Sequence, residues 1–169
     1  AGSGAEARLH RHRTRPHQDY GYLLRNDPAY AAKAERVAAL AKDPIEVLEA
    51  EAERLEPAPD APLRIAFQSP CTLQHGQKLA GRVEALLARI GFTLTPVAEA
   101  HLCCGSAGTY SLLQPELSRQ LQQRKIANLQ AGEPELIATA NIGCLTHLAE
   151  AATVPVRHWV ELVRVKRNG

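Results

Sequence analysis

Apolar residues change their spacing several times along this chain, and each change marks an element. Asp27-Pro28 pairs a capping residue with proline at a first helical position. Tyr30, Ala34, Val37, Ala38 and Ala41 then recur at helical spacing and predict a helix over 28–41. A second start, Asp43-Pro44, leads Ile45, Leu48, Ala52 and Leu55 along one side of a further helix. EPAPDAP at 56–62 predicts a proline-rich linker, the clearest boundary in the chain.

Beyond the linker the pattern becomes alternating. LRIAFQ (63–68) is apolar, too short for a helix and closed by Pro70, so it predicts a buried strand. Leu79, Val83, Leu86, Leu87 and Ile90 form one helical face that stops at Gly91. FTLTPV (92–97) predicts a second strand, and Pro115 opens a helix carrying Leu117 and Leu121 that ends by Gly132. ELIATA (135–140) predicts a third strand, 143–152 a helix and VPVRH (154–158) a fourth strand. Pro155 cannot donate to a ladder, which places the fourth strand at a sheet edge. A last helix is expected over about 159–165. Strands alternating with helices predict an α/β fold: a small parallel sheet of about four strands, with helices on both faces, preceded by an N-terminal helical segment. The expected organisation is a disordered basic tail over 1–18, a helical connector over 19–56 and an α/β domain over 57–169. No internal repeat is visible.

Composition narrows the class. Apolar residues make up 45% and charged residues 22%, an ordinary globular balance, and with 4% aromatics the core must rest on Leu, Val, Ile and Ala. The net charge of +2 does not point to nucleic acid. No apolar run is long enough to span a bilayer and no signal peptide opens the chain, so a cytoplasmic protein is expected, with attachment to the inner membrane through partners left open. Four cysteines in a chain without a secretory signal suggest metal or redox chemistry rather than a disulfide framework.

Their positions sharpen this. Cys71 follows the first predicted strand, Cys103 and Cys104 the second, and Cys144 the third, while His158 closes the fourth. In a parallel sheet the carboxyl ends share one edge, where open α/β sheets bind ligands, so the three loops should meet. Helix N-termini favour thiolates, and Gly105 and Gly143 let backbone come close to a cofactor. Thiolates hold iron–sulfur clusters and also zinc. His147, one turn into a helix after Cys144, can reach back as a ligand or serve as a hydrogen bonder. His75 and His101 lie beside cysteines. His158 and Trp159 are expected to be structural, and Gln68, Gln74 and Asn141 to bond sulfurs or order loops. No acid/base pair, nucleophile elbow or dinucleotide loop is present, so no catalytic residue is assigned.

QSPCTLQHGQKL (68–79), HLCCGSAGTYSLLQPELS (101–118) and TANIGCLTHL (139–148) resemble the cysteine-rich CCG domain of heterodisulfide reductase subunits and of glycolate oxidase and lactate-utilisation iron–sulfur proteins. They are most similar to the glycolate oxidase branch, and DYGYLLRNDPAYAAKAERV (19–37) resembles the connector between that branch's two CCG domains. The resemblance covers roughly 19–165. It implies a non-catalytic electron carrier beside a flavin-containing partner that oxidises glycolate to glyoxylate, in a complex with other subunits. It also implies a [4Fe–4S] cluster held by Cys71, Cys103, Cys104 and Cys144, with His147 standing where the family's last motif usually has cysteine. The ferredoxin-like region of the family, with its closely spaced cysteines, is absent from this sequence, as is a cysteine within 1–18, and a fragment is expected. The alternative is a cluster-free or zinc-binding structural or interaction domain, which as a fragment could form a homodimer through surface its missing half would cover.

Overall fold

The computed structural model describes residues 16–167. These fall into two compact units, residues up to Val47 and residues from Leu48 onward. The basic tail expected over 1–18 lies, for residues 1–15, outside the described residues.

In the first unit, helices α1 (Pro16–Leu23) and α2 (Ala31–Leu40) pack together. Gly21 permits their close approach, because a Cβ there would stand 3.4 Å from Glu35 Cα and 3.6 Å from Ala38 Cβ. Asp27 Oδ1 accepts hydrogen bonds from the backbone N–H groups of Ala29 (2.8 Å) and Tyr30 (3.1 Å). The predicted cap is therefore used, but it holds a turn over 28–30, and regular helix begins only at Ala31. Asp43 likewise caps α3 (Pro44–Leu48), accepting from the Ile45 N–H at 3.2 Å, while Glu46 accepts from the Asp43 N–H at 2.7 Å.

The helix expected to continue past Leu48 does not. Glu49–Arg54 tightens into a 3₁₀ segment, and Leu55–Pro57 becomes strand β1. Pro57 has no N–H and biases Glu56 toward extended backbone, which ends the helical run. The last predicted helix is also corrected. Trp159–Leu162 is 3₁₀, and Val163–Val165 is a strand, β6, paired antiparallel with β1 in the register Leu55↔Val165 and Pro57↔Val163. A helix over 159–165 would have removed the partner that β1 needs for its backbone groups. Arg164 also pairs with Glu56 across these strands at 2.7 Å.

The main sheet is parallel and four-stranded. Its strands are β2 (Arg64–Gln68), β3 (Thr93–Leu94), β4 (Leu136–Thr139) and β5 (Val156–His158), in the order β3-β2-β4-β5. β5 is an edge strand, as Pro155 requires. From β2 the chain steps outward to β3 through α4 (Arg82–Ile90). It returns across β2 to β4 through α5 (Tyr110–Leu113) and α6 (Pro115–Gln130), then reaches β5 through α7 (Ile142–Ala149). Right-handed crossovers running in opposite directions put α4 on one face and α6 with α7 on the other. The direction reverses between β2 and β4, so the crevice at their carboxyl ends is the switch point where such sheets take ligands.

Both central strands are buried throughout after Arg64, with Ile65, Ala66, Ile137, Ala138 and Thr139 at 0% exposure. Side chains alternate between faces. Ala66 and its register partner Ile137 join Cys104, Ile126, Leu129, Cys144 and Leu148 in one core. Gln68 and Thr139, two residues on, share that face, and Thr139 Oγ1 donates to Gln68 Oε1 at 2.6 Å. Among the described residues no helix is long and apolar enough to cross a membrane.

Glu84, in the first turn of α4, is a local cost. One of its carboxylate oxygens is buried without a hydrogen-bond partner. Burial pushes its carboxyl above the usual 4.5, while the backbone amides of Glu84 and Gly81 pull it partly back. The folded chain therefore holds this proton more tightly than the unfolded chain, and stability falls as pH rises from 4.5 through the raised value. Glu84→Gln should flatten that fall and raise stability at pH 7 by about 0.5–1 kcal/mol. Urea midpoints of both proteins at pH 5 and pH 7 check it; an equal fall in both would contradict the assignment.

Candidate functional site

Three loops meet at the carboxyl ends of β2, β3 and β4. The first leaves β2 through Ser69 and Pro70. Pro70 O accepts from the N–H groups of Leu73 (3.0 Å) and Gln74 (2.9 Å), and Thr72–Gly76 forms one π-helical turn directly after Cys71. Turns of this kind recur at functional sites. Gln74 Nε2 donates to Ser69 O (2.6 Å) and Ala100 O (3.2 Å), binding this loop to the second.

The second loop carries Cys103-Cys104-Gly105. Gly105 has φ +97°, and a Cβ there would stand 2.5 Å from Ser118 O and 3.0 Å from His147 Nε2. Only glycine fits such a position. From α6, Ser118 Oγ donates to Gly105 O at 2.9 Å and lies 3.3 Å from His147 Nε2. The third loop enters α7 at Asn141, whose Oδ1 accepts from the Cys144 N–H at 3.2 Å. Cys144 thus sits in the first turn of a helix, where the dipole favours a thiolate.

The structure brings the four thiols together. Cys71 hydrogen-bonds Cys103, Cys103 hydrogen-bonds Cys104, and Cys104 Sγ lies 3.1 Å from Cys144 Sγ. All four are free thiols; Cys104 and Cys144 are buried, and Cys71 and Cys103 are half-buried. The protons are divided unequally. Hydrogen bonds from Cys104 and Cys71 pull Cys103 far below the usual thiol range, and the Gly105 N–H, 3.3 Å from its sulfur, adds to this. The hydrogen bond from Cys104 likewise lowers Cys144. Cys71 rises because it donates to Cys103 and because it is buried. Cys104 rises because it donates to Cys103 and Cys144 and because it is buried. Cys103 and Cys144 are thus the sulfurs that give up a proton more readily, and Cys71 and Cys104 the ones that keep it. Four bare thiolates would repel one another at this depth and require a cation.

A soft cationic group fits this donor set. So does an orphan: Ser69 Oγ, two residues before Cys71, is buried without a hydrogen-bond partner, a cost of about 1–3 kcal/mol that a bound group could relieve. Among the described residues no three His, Cys, Asp or Glu side chains are arranged to hold a single metal ion. His147 makes its hydrogen bonds to Ser118 and Gln122, the latter donating to its carbonyl, and it lines a cavity of about 370 Å³ with both. His75 and His101 are exposed. His158 caps the 3₁₀ segment, accepting from the Val160 N–H, and Trp159 is fully buried, so both serve the fold.

The sequence reading missed the buried face of α6. Leu117 is 48% exposed, and the buried stripe is Ser118, Gln122, Lys125, Ile126 and Leu129. Extending the Ile126/Leu129 pair back by helical spacing would have found it. Lys125, 1% exposed, donates to Glu99 O and Ala100 O at 3.1 Å each.

A family profile described as CCG, cysteine-rich domain, matches residues 65–149. The chain is 54% identical over 147 residues to the glycolate oxidase iron–sulfur subunit of Escherichia coli K12, covering 86% of this chain and 36% of that protein. It is 32% identical over 132 residues to the probable glycolate oxidase iron–sulfur subunit of Bacillus subtilis 168, covering 77% and 30%. Lactate utilization protein A of Exiguobacterium sp. is 28% identical over 136 residues, with 78% of this chain and 54% of that protein covered. The chain therefore spans between 30% and 54% of the length of these relatives.

Gly105 and Gly108 give a matched test of the loop. Both have positive φ, but nothing stands within 4 Å of a Cβ at Gly108. Gly108→Ala should cost about 1 kcal/mol, from backbone strain alone. Gly105→Ala adds a steric overlap with Ser118 O and should cost about 3 kcal/mol or more. Thermal unfolding of the two variants checks the difference, and equal costs would mean that Gly105 is not tightly enclosed.

Proposed function

This chain belongs to the CCG cysteine-rich domain family, and on that footing we propose that it is the electron-carrying part of an iron–sulfur oxidoreductase subunit. Cys71, Cys103, Cys104 and Cys144 hold the cluster, of the [4Fe–4S] type. The observation that carries this reading is the convergence of four sulfurs from three loops at the switch point of the sheet. When bound, the cluster supplies one-electron storage and release. The chain supplies the rest. Its loops fix the sulfurs, the first turn of α7 and the Gly105 N–H stabilise negative charge, and the Ser69 hydroxyl offers a hydrogen bond. His147 supports the cysteine loop through Ser118 and, as the last residue of the Cys144-x-x-His147 motif, is the alternative ligand to one of the cysteines. The names of two relatives, glycolate oxidase iron–sulfur subunits, support glycolate as the substrate class of the complex. The electrons would come from a flavin-containing partner that oxidises glycolate to glyoxylate, and other subunits would carry them onward.

Anaerobic reconstitution with iron and sulfide should give a brown protein with about four of each per chain. Replacing any one of Cys71, Cys103, Cys104 or Cys144 by Ser should remove most of the colour. A colourless protein, or stoichiometric zinc without sulfide, would reject the reading in favour of a structural domain. His147→Gln separates the roles: retained iron with lowered thermal stability marks a support, and lost iron marks a ligand.

Loading must also release the protons that Cys71 and Cys104 share. Both thiols lie above the ordinary 9.0. Metal affinity should therefore increase with pH, by about tenfold or more from pH 6 to pH 8, with protons released into solution. Iron and sulfide uptake at the two pH values, in weak buffer with a pH indicator, measures both. A pH-independent affinity would contradict the shared-proton arrangement.

A further inference from the structure

α6 places a cation where its helical spacing calls for an aliphatic side chain. Lys125 lies one turn before Leu129 on the buried stripe and is 1% exposed. An ammonium is costly to bury unless it is paired and hydrogen-bonded. Its bonds to the Glu99 and Ala100 carbonyls satisfy donors but bring no neutralising charge. Groups that can carry negative charge lie on the same loop and on the loop of Cys71. Burial lowers the proton affinity of Lys125, and Cys71, Cys104, Cys103 and Glu99 act against that loss.

The same helix holds the loop in a second way. Glu99 has φ +49°, a conformation that non-glycine residues rarely adopt. Its carboxylate accepts hydrogen bonds from Arg124 Nε (2.8 Å) and Asn128 Nδ2 (2.9 Å). Arg124, Lys125 and Asn128 thus grip one residue, side chain and carbonyl together, four positions before Cys103.

We propose that Lys125 is a positioning residue with two linked roles. Through the Glu99 and Ala100 carbonyls it fixes the loop that carries Cys103 and Cys104, and its buried ammonium sets a fixed positive charge beside that loop. A fixed positive charge at low dielectric favours whichever state carries one more electron, so Lys125 raises the reduction potential of the cluster. This rests on the iron–sulfur reading above for the potential, but the loop-fixing role holds for the metal-free chain as well.

Lys125→Gln keeps a hydrogen-bond donor and removes the charge, and Lys125→Arg keeps the charge. In the reconstituted chain, a redox titration followed by electron paramagnetic resonance should show the Gln variant shifted to lower potential. Its oxidised-to-reduced ratio at a fixed potential should rise about tenfold or more, 59 mV for one electron. The Arg variant should stay within roughly threefold of the parent. A Gln variant with an unchanged potential overturns the proposal. If the parent chain takes up no iron, the cluster reading has failed on its own, and the metal-free chain decides. Amide hydrogen exchange over residues 99–105 should then be about tenfold faster in the Gln variant, whose side chain is one atom shorter than the span to the Glu99 and Ala100 carbonyls, and equal rates overturn the proposal. Should the Gln variant fail to fold, Lys125→Met takes its place in both assays and is read the same way. If neither neutral variant folds, the Arg variant decides: potential or rate within threefold of the parent supports the proposal, and a tenfold change in either overturns it.

Discussion

Hydrogen bonds between sulfur atoms govern this molecule's functional end. A thiol is a weak donor, and a chain of four such groups, Cys71 to Cys103 to Cys104 to Cys144, is not a design for stability. It is a way to keep nucleophilic sulfur together in a site too dry for four charges. Cys71 and Cys104 hold their protons, Cys103 and Cys144 release theirs more readily, and a positive group would displace what protons remain. The fold around it then makes sense as a holder. Parallel strands bring three loops to one edge, and the reversal of strand order between β2 and β4 opens the crevice between them.

Precision at that edge comes from side chains outside the cysteine motifs. Gln68 and Thr139 join the ends of the two central strands, so the first and third loops start from fixed points. Gln74 ties the first loop to the second through Ala100 O. Ser118 and Lys125, both from α6, take the second loop at Gly105 and at Glu99–Ala100. Every loop is therefore held from at least one element other than its own strand. A loop with only its two ends fixed would lose more conformational entropy on binding a cluster than one already clamped.

Much of this was legible in the sequence where local chemistry dominates. β2 and β4 are short runs centred on Ile65–Phe67 and Leu136–Ala138 that only a doubly covered sheet can bury, and their placement put Cys71 and Cys144 just past the strand ends. Cys103 and Cys104 follow β3, although β3 pairs over only two residues, Arg64↔Thr93 and Ile65↔Leu94. Pro96 lacks the N–H that would have extended it. What was not legible depends on distant partners. Leu55–Pro57 and Val163–Val165 look helical or irregular alone and become strands only because each supplies the other's ladder. The buried stripe of α6 was hidden for another reason. Ser118, Gln122 and Lys125 are polar, so a search for apolar periodicity settles on Leu117 and misplaces the helix face.

That misplacement is informative about what the helix is for. With apolar residues in place of Ser118, Gln122 and Lys125, α6 would bury more hydrocarbon and avoid the desolvation of an ammonium, which favours the fold. The same exchange would leave the Gly105, Glu99 and Ala100 carbonyls without donors and remove the buried positive charge beside the cysteine loop. The balance changes sign with the state of the sulfur site. With neutral thiols Lys125 is a net cost, and with thiolates or an anionic cluster it is a partner already in place, its desolvation met during folding rather than during electron transfer. A helix that gives up core stability on the face toward four cysteines is one whose burial pattern follows the charge of the site.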